Sequence, residues 1–503
     1  MARPAVNVGA NSVGLAVRLA SSIIFSAIFF RTLGAAGFGL VNFCGLITTI
    51  GSQLADLGIG RTVTRELARW KDHEEDAEKV RNALFTLQTV HAVLGITLGF
   101  AIFLTSGWLV KHWLGRDAPT NLHPAAVVAL TGLLAAIQLP MATVSAAMNG
   151  LERHIARNLV VIIFVLLQGL GTFVCLLAFG TTPFVYVSAL CTFAVLQVVT
   201  LTVITWWFMP RAKQALPHFT FDVIRDVWTF AANDGLASLT GMLVMNGDRI
   251  ILSSMLPLSQ FGGYALAVQL SSAIYQLPTP INITYFPRFV AHFAAGETDA
   301  LRILFWRASA FLQIALVPAV IVMAFFSRSV LEMMASKHLV TIDAFAVVLS
   351  FRVIGTGVNA LTQVPYTLML ATGRSDLGLR INLLIAVTYL PLLYFIVPRY
   401  GVISAPMIWL AVTSFAFFPV IVWAHRYSGI GHMWEWVTSI IVPPTAMASA
   451  LTALLATAMP SGLGPELRFY FLAVTGVLCV TVVSFSIREV RELLWRWTKR
   501  FRI

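Results

Sequence analysis

Charge is what this chain has least of. Asp, Glu, Lys and Arg make up 11% of its 503 residues, where a soluble globular protein carries about 25%. So few charges cannot clothe a water-facing surface, and most of the surface must face lipid. No stretch of about ten residues alternates polar and apolar side chains, which argues against a membrane barrel. There is no GxxxxGK[ST] loop to cradle phosphates, which argues against ATP hydrolysis by this chain, and there is no HExxH, CxxC or GxSxG. Cys44, Cys175, Cys191 and Cys479 are scattered through apolar runs without metal-ligand spacing, which argues against a zinc site or a disulfide framework. No loop is long enough to hold a separate catalytic domain; the longest outer one runs only from about Lys111 to His123.

What the chain has is apolar length. It is 58% hydrophobic, with a mean hydropathy of +0.83. Runs of roughly 20 apolar residues recur from end to end, each able to cross a ~30 Å hydrocarbon core. We read an all-α polytopic membrane protein with about fourteen spans, at 8–30, 39–60, 83–107, 124–148, 158–179, 185–208, 228–247, 262–286, 304–326, 342–371, 381–397, 402–423, 437–459 and 467–486. The first run is longer than a signal-peptide core and is expected to stay in the protein.

The chain writes its opening twice. Shifted by 223 positions, Leu33 falls on Leu256, Phe38 on Phe261 and Gly39 on Gly262, and Gln53-Leu54 falls on Gln276-Leu277. Arg65 falls on Arg288, and without a gap Gly150 still falls on Gly373 and Arg157 on Arg380. A tandem duplication of six spans follows. Six is even, so both copies enter the membrane in the same sense, as a parallel repeat. The expected division is 1–215 for one six-helix lobe, 216–430 for the second, and 431–503 for two further helices and a basic tail.

The 34 Lys and Arg against 22 Asp and Glu give a formal charge of +12. Nucleic acid is not the partner this points to, because the basic residues collect in alternate loops. With both termini in the cytoplasm, 23 of the loop Lys and Arg fall on that side against 7 on the other, as the positive-inside rule requires. Residues 61–81 read as a short cytoplasmic helix, and the Trp-rich end REVRELLWRWTKRFRI as an amphipathic segment on the anionic inner leaflet of membrane lipids.

Several polar residues sit where lipid would not tolerate them. Arg18 lies inside the first span, where a central Arg costs about 2.5–3.5 kcal/mol even on the lenient scale, so it should face protein or water. Asn7 and Asn11 share its helical face. Arg352, Asn359 and Gln363 repeat that spacing in reverse in span ten, and Asn233 adds another amide in span seven. Asp56, Asp234 and Asp248 are the acidic candidates for pairing with these arginines. Gly95 and Gly99 form one GxxxG, a motif for close helix packing. Pro140, Pro278, Pro280 and Pro365 mark places where spans can bend.

The stretches NSVGLAVRLASSIIFSAIFFRTLGAAGFGLVNF and LADLGIGRTVTRELAR, with NGDRIILSSMLPLSQFGGYALAVQL in the second copy, resemble bacterial polysaccharide transporters. MNGLERHIARN, ATGRSDLGLRIN and RYGVISAPMIWL fit later loops of the same pattern. These are the O-antigen and exopolysaccharide translocases of the multidrug/oligosaccharidyl-lipid/polysaccharide exporter superfamily. The resemblance implies a flippase of the bacterial inner membrane, without covalent chemistry, whose partner is an anionic lipid-linked glycan. Arg18 and Arg352 would hold the pyrophosphate, while Asn7, Asn11, Asn233, Asn359 and Gln363 meet sugars. H⁺ or Na⁺ is the coupling ion it implies, with no other cofactor, and other polysaccharide-assembly membrane proteins are the expected associates. A lipid II flippase or a drug/cation antiporter of the same superfamily shares this architecture, and a membrane-embedded glycosyltransferase or polymerase is the rival from another class.

Overall fold

The computed structural model describes residues 2–56, 58–70, 77–114, 119–210, 216–335, 341–460, 462–488, 490 and 491, with the side chains of 2–13, 16, 70, 226–237 and 375 outside that description. The described residues form helices and turns, with no strand among them. In chain order the helices are α1 (Ala2–Asp56), α2 (Ile59–Trp70), α3 (Ala77–His112), α4 (Pro124–Gly150), α5 (His154–Phe179), α6 (Pro183–Phe208), α7 (Phe221–Met255), α8 (Leu258–Tyr275) and α9 (Thr279–Ala294). They continue with α10 (Thr298–Phe325), α11 (Ser327–Ala335), α12 (Ile342–Leu361), α13 (Gln363–Ala371), α14 (Ser375–Tyr400), α15 (Ser404–Tyr427), α16 (Met433–Trp436), α17 (Val442–Ala458) and α18 (Pro465–Ser486).

The duplication is visible in where the helices break. At 55 residues, α1 would be roughly 80 Å long at 1.5 Å per residue, far more than one crossing. It is interrupted at Gly34, whose φ of 71° and ψ of 171° suit a residue without a Cβ. The residue 223 positions on is Pro257, and there α7 ends at Met255 and α8 begins at Leu258. One copy breaks through a glycine dihedral, the other through a missing backbone N–H. A second break falls between the end of α1 at Asp56 and the start of α2 at Ile59 in one copy and at Gln276–Pro278 in the other, leaving α2 and α9 as short matching helices. Further on, α3 corresponds to α10 with α11, α4 to α12 with α13, α5 to α14 and α6 to α15. The two copies thus break into helices at matching places, and α17 and α18 follow the second.

Eleven described stretches are long and apolar enough to cross a membrane. The first, Val17–Asp56 with 40 residues, holds the Gly34 break and accommodates the first two expected spans. Helix α7 corresponds to the seventh expected span, and α8 with α9 to the eighth. The tenth, expected as one run over 342–371, is divided at Thr362 into α12 and α13.

By its contacts the chain forms two compact units, Met1–Ala265 and Leu266–Ile503. In the first, α3 and α4 lie backbone to backbone: a Cβ on Gly95 or Gly99 would come 2.5 Å from the carbonyl oxygen of Ala136 or Gly132. The GxxxG motif thus packs as expected. The short helix α2 buries Ile59, Val63 and Leu67 against Val80, Leu84 and Leu87 of α3 and Ala146 and Ala147 of α4. It is part of the core and not only the surface helix expected over 61–81.

The same unit contains the point where the two copies touch. A Cβ on Gly39 would overlap the carbonyl oxygen of Leu258, and one on Gly262 would overlap that of Ala35. Those residues are repeat mates, Gly39 with Gly262 and Ala35 with Leu258. Each copy therefore offers the other the same surface, the signature of a two-fold contact.

In the second unit, α12 packs on α15 and α10, and α10 receives α17 and α18. Glu332 of α11 pairs with Arg328 at 3.0 Å and with Arg468 of α18. Arg328 also meets Asp343 at 2.9 Å, and the bond to Glu332, helped by Asp343, holds its guanidinium proton more firmly than usual. Val437–Ile441 forms a π turn ahead of Pro443 and Pro444, which cannot donate to an ordinary helical turn. Residues 492–503 of the expected amphipathic tail lie outside the described residues.

Candidate functional site

Helix α1 carries Arg18 onto α5. A Cβ on Gly14 would sit 3.6 Å from Ile162 and 3.9 Å from Asn158, so the two helices are in contact one turn before Arg18. The Nε of Arg18 donates back to the Gly14 carbonyl at 3.2 Å. The rest of its guanidinium lies near enough to Arg157, on the first turn of α5, for the two positive charges to act on each other. Arg157 Nη1 donates to Asn158 Oδ1 at 3.4 Å, and its buried Nε meets no hydrogen-bond acceptor among the described residues. Neither arginine forms an ion pair with a described carboxylate. Arg153, one turn earlier, lies over the Phe208 ring at 4.6 Å.

The repeat shows how unusual this is. Asp376 and Arg380 stand in the second copy where Arg153 and Arg157 stand in the first. There, Asp376 neutralises Arg374 at 3.0 Å and approaches Arg380 at 3.9 Å, and the hydrogen bond from Arg374 pulls its carboxyl below the ordinary range. The first copy leaves its positive charge uncompensated among the described residues. Helix α1 begins at Ala2, so Arg18 sits midway between that start and the Gly34 break.

A cavity of about 550 Å³ opens in the same unit, between the second half of α1, α2 and α4. Its wall includes Gln53, Asp56, Arg61, Gln138, Ser145 and Asn149. Asp56 Oδ2 and Oδ1 accept the amides of Gly58 and Gly60, both at 3.2 Å, capping α2. Behind it, His91 of α3 brings Nε2 to 3.4 Å from Asp56 Oδ1. Arg61 is hydrogen bonded to Ser238 of α7.

The remaining expected residues are placed elsewhere. Asp248 is fully buried on α7, where it accepts from the Tyr264 hydroxyl at 2.6 Å and the Arg249 amide at 2.9 Å. It ties the end of α7 to α8 across the Pro257 break. We expect Asp248→Asn, or Tyr264→Phe, to remove about 1.5–3 kcal/mol of stability, the range for a hydrogen bond to a charged group. Thermal unfolding of the detergent-solubilised protein checks this, and an unchanged midpoint for both variants contradicts it.

Arg352 is 5% exposed inside the second unit. Its guanidinium stacks 4.6 Å over the Trp409 ring, and Nη1 reaches the Tyr389 hydroxyl at 3.4 Å. A desolvated stack of this kind is worth up to ~2 kcal/mol. Gln363, at the start of α13, lies beside the Tyr275 phenol, with Tyr366 nearby. Asn359 Oδ1 is buried without a hydrogen-bond partner among the described residues. Asn7, Asn11, Asn233 and Asp234 lie on helical backbone, but their side chains are outside the described residues. Among the described residues no three side chains cluster as metal ligands.

Two residues carry more of this geometry than their sequence context suggests. Arg157 reads as one more basic loop residue at the edge of a span, and its position beside Arg18 depends on how α1 and α5 pack. His91 lies inside the expected span 83–107, where any titratable side chain is costly; that cost alone is a signal.

Residues 7–293 match the family described as "Polysaccharide biosynthesis protein". A Shigella flexneri protein bearing the provisional name of O-antigen transporter is 23% identical over 414 residues, covering 79% of this chain and 92% of that protein. Among solved structures, the lipid II flippase MurJ in an inward closed conformation superposes with a TM-score of 0.68 at 11% identity, covering 97% of this chain and 99% of MurJ. An inward-facing multidrug resistance MATE family transporter of the MOP superfamily gives 0.59 at 14% identity, covering 84% and 99%. At these identities the likeness shows a shared fold, the one these helices build.

Proposed function

The chain belongs to the polysaccharide biosynthesis protein family, and on that premise we propose that it is a flippase for a polyprenyl-pyrophosphate-linked oligosaccharide. It moves an O-antigen or exopolysaccharide repeat unit from the cytoplasmic to the periplasmic leaflet of the bacterial inner membrane. Both termini lie in the cytoplasm, on the side of the basic loops.

The observation that carries this reading is that Arg18 and Arg157 lie within electrostatic reach of each other and neither pairs with a described carboxylate. Two like charges in a partly dry setting repel, and an anion that bridges them turns the repulsion into binding. A pyrophosphate suits them, because each planar guanidinium can engage its oxygens through two parallel hydrogen bonds. A site selected for organic cations would place acidic groups here instead. Sugar hydroxyls call for polar amides, and Asn7, Asn11, Asn233, Asn359 and Gln363 remain the candidates for that role. The lipid tail stays in the bilayer, so the protein need enclose only the head. Alternating access of the two repeats moves that head, and Asp56, Asp234 or Asp248 binds the coupling cation.

Leaflet transfer in proteoliposomes tests the reading. The purified protein should move polyprenyl-pyrophosphate-linked oligosaccharide to the opposite leaflet, and organic-cation efflux should stay at the level of empty liposomes. Cation efflux without glycolipid transfer contradicts it, and transfer of lipid II alone assigns the protein to the other flippase class.

A further inference from the structure

The cavity beside α2 ends at a histidine that the reading above leaves unused. His91 is fully buried in α3. Its Nδ1 contacts Thr143 Oγ1 of α4, and that hydroxyl gives its own proton to the Leu139 carbonyl at 3.3 Å. Either ring tautomer fits this contact; in the one that keeps Nδ1–H for Thr143, Nε2 stands bare toward Asp56 Oδ1 at 3.4 Å. A bare imidazole nitrogen and a carboxylate facing each other at that distance repel, and one proton between them removes the repulsion. We propose that His91 and Asp56 together bind a single proton at this cavity, and that the ion exchanged during transport at this site is H⁺. The second half rests on the flippase reading; the first does not.

A helix cap alone accounts for Asp56, whose two oxygens hold the Gly58 and Gly60 amides. It does not account for a buried imidazole set against that carboxylate inside a span. Nor does the pair suit a hard metal cation, which takes a shell of oxygen ligands. The other groups around His91 are few. From α1 only Asp56 faces it with charge. From α2, Arg61 lines the cavity, and further along Glu66 is engaged with Arg65 at 2.5 Å. From α4 come the neutral Gln138, Thr143 and Ser145, and from α7 Ser238, the side chains of 226–237 being outside the described residues.

The same geometry gives the proton a mechanical output. Thr143 holds the ring, so Asp56 is the partner that gives way when the proton leaves. Asp56 sits at the break between α1 and α2, followed by Gly58 at φ 83°. A carboxylate drawn off Nε2 loosens the two amides that start α2, at the wall of the cavity. Proton release and the position of α2 are thereby linked.

Potentiometric titration of the purified protein in detergent tests the site without any substrate. Between pH 8 and 5, wild type should take up one proton more than His91→Gln. Asp56→Asn should lose that uptake or move its midpoint more than about one unit toward acid. The double variant should lose no more than His91→Gln, because the proton is shared. Exchanging KCl for NaCl should leave the wild-type curve unchanged. A curve for either single variant that superimposes on wild type, in whichever of them runs as a monodisperse peak, overturns the site, as does displacement of the proton by Na⁺. In proteoliposomes holding polyprenyl-pyrophosphate-linked oligosaccharide, an imposed pH gradient should change the wild-type transfer rate about tenfold and leave that of His91→Gln unmoved. Wild-type transfer indifferent to the gradient overturns the coupling. Absence of wild-type transfer overturns the flippase reading and the coupling with it, while the titration still decides the proton site.

Discussion

Glutamine at both Arg18 and Arg157 reduces export of the lipid-linked glycan to about one-hundredth of wild type or less, while the protein stays in the membrane at its normal level. Each guanidinium contributes charge-assisted hydrogen bonds to the pyrophosphate, worth about 1.5–3 kcal/mol apiece, and the two together account for a hundredfold or more. The single variants should each lose export about tenfold or more and should not add simply, because the residues are neighbours. They carry a second signature. Removing one arginine relieves its repulsion of the other across the α1–α5 contact, so Arg157→Gln should unfold at the wild-type temperature or higher while it exports poorly. Lysine at 157 keeps the charge but not the paired donors and should rescue only in part. Export by the double variant at the wild-type rate, measured as surface glycan in cells that depend on this protein, sinks the assignment of both residues.

Valine at Gly262, or at Gly39, separates the two copies where they touch. The added Cβ would fall inside the carbonyl oxygen of Ala35 or Leu258, and backbone cannot move aside as a flexible side chain can. Overpacking typically costs 1–3 kcal/mol, and we expect about the upper end or beyond here. Because the contact is two-fold, the first valine already pushes the segments apart, so Gly39→Val with Gly262→Val should cost less than the sum of the singles. The readout is the unfolding midpoint together with the yield of monodisperse protein. A Gly262→Val protein with the wild-type midpoint would show that α1 and α8 do not meet as described.

That contact also shows what a sequence can reveal by itself. The 223-residue register pairs Gly39 with Gly262 from identity alone, and the structure adds that the paired residues lie against each other. The breaks are less visible. Hydropathy counts apolar runs and is blind to backbone dihedrals, so nothing in it marks Gly34 as the counterpart of Pro257, or Thr362 as a division of span ten. Arg18 stands out because a charge in an apolar run is expensive. Arg157 does not, since its importance lies in a neighbour on another helix, and that register is decided by packing at Gly14 and Asn158. Asp248 is in sequence only one of three candidate acids, and in the structure it is the buried partner of Tyr264, sixteen residues on. Local pattern identifies which residues are out of place; only tertiary contact says what each one meets.

The proposed flippase reads the diphosphate of its lipid through two arginines that no described carboxylate neutralises. The direct test is a charge series: one oligosaccharide attached to polyprenyl pyrophosphate, to polyprenyl monophosphate and to a neutral lipid, with leaflet transfer followed in proteoliposomes. Wild type should rank the three in that order, and the Arg18→Gln, Arg157→Gln protein should carry all three equally slowly. Equal rates for the three lipids with wild type, or the same ranking in the double variant, would contradict the claim.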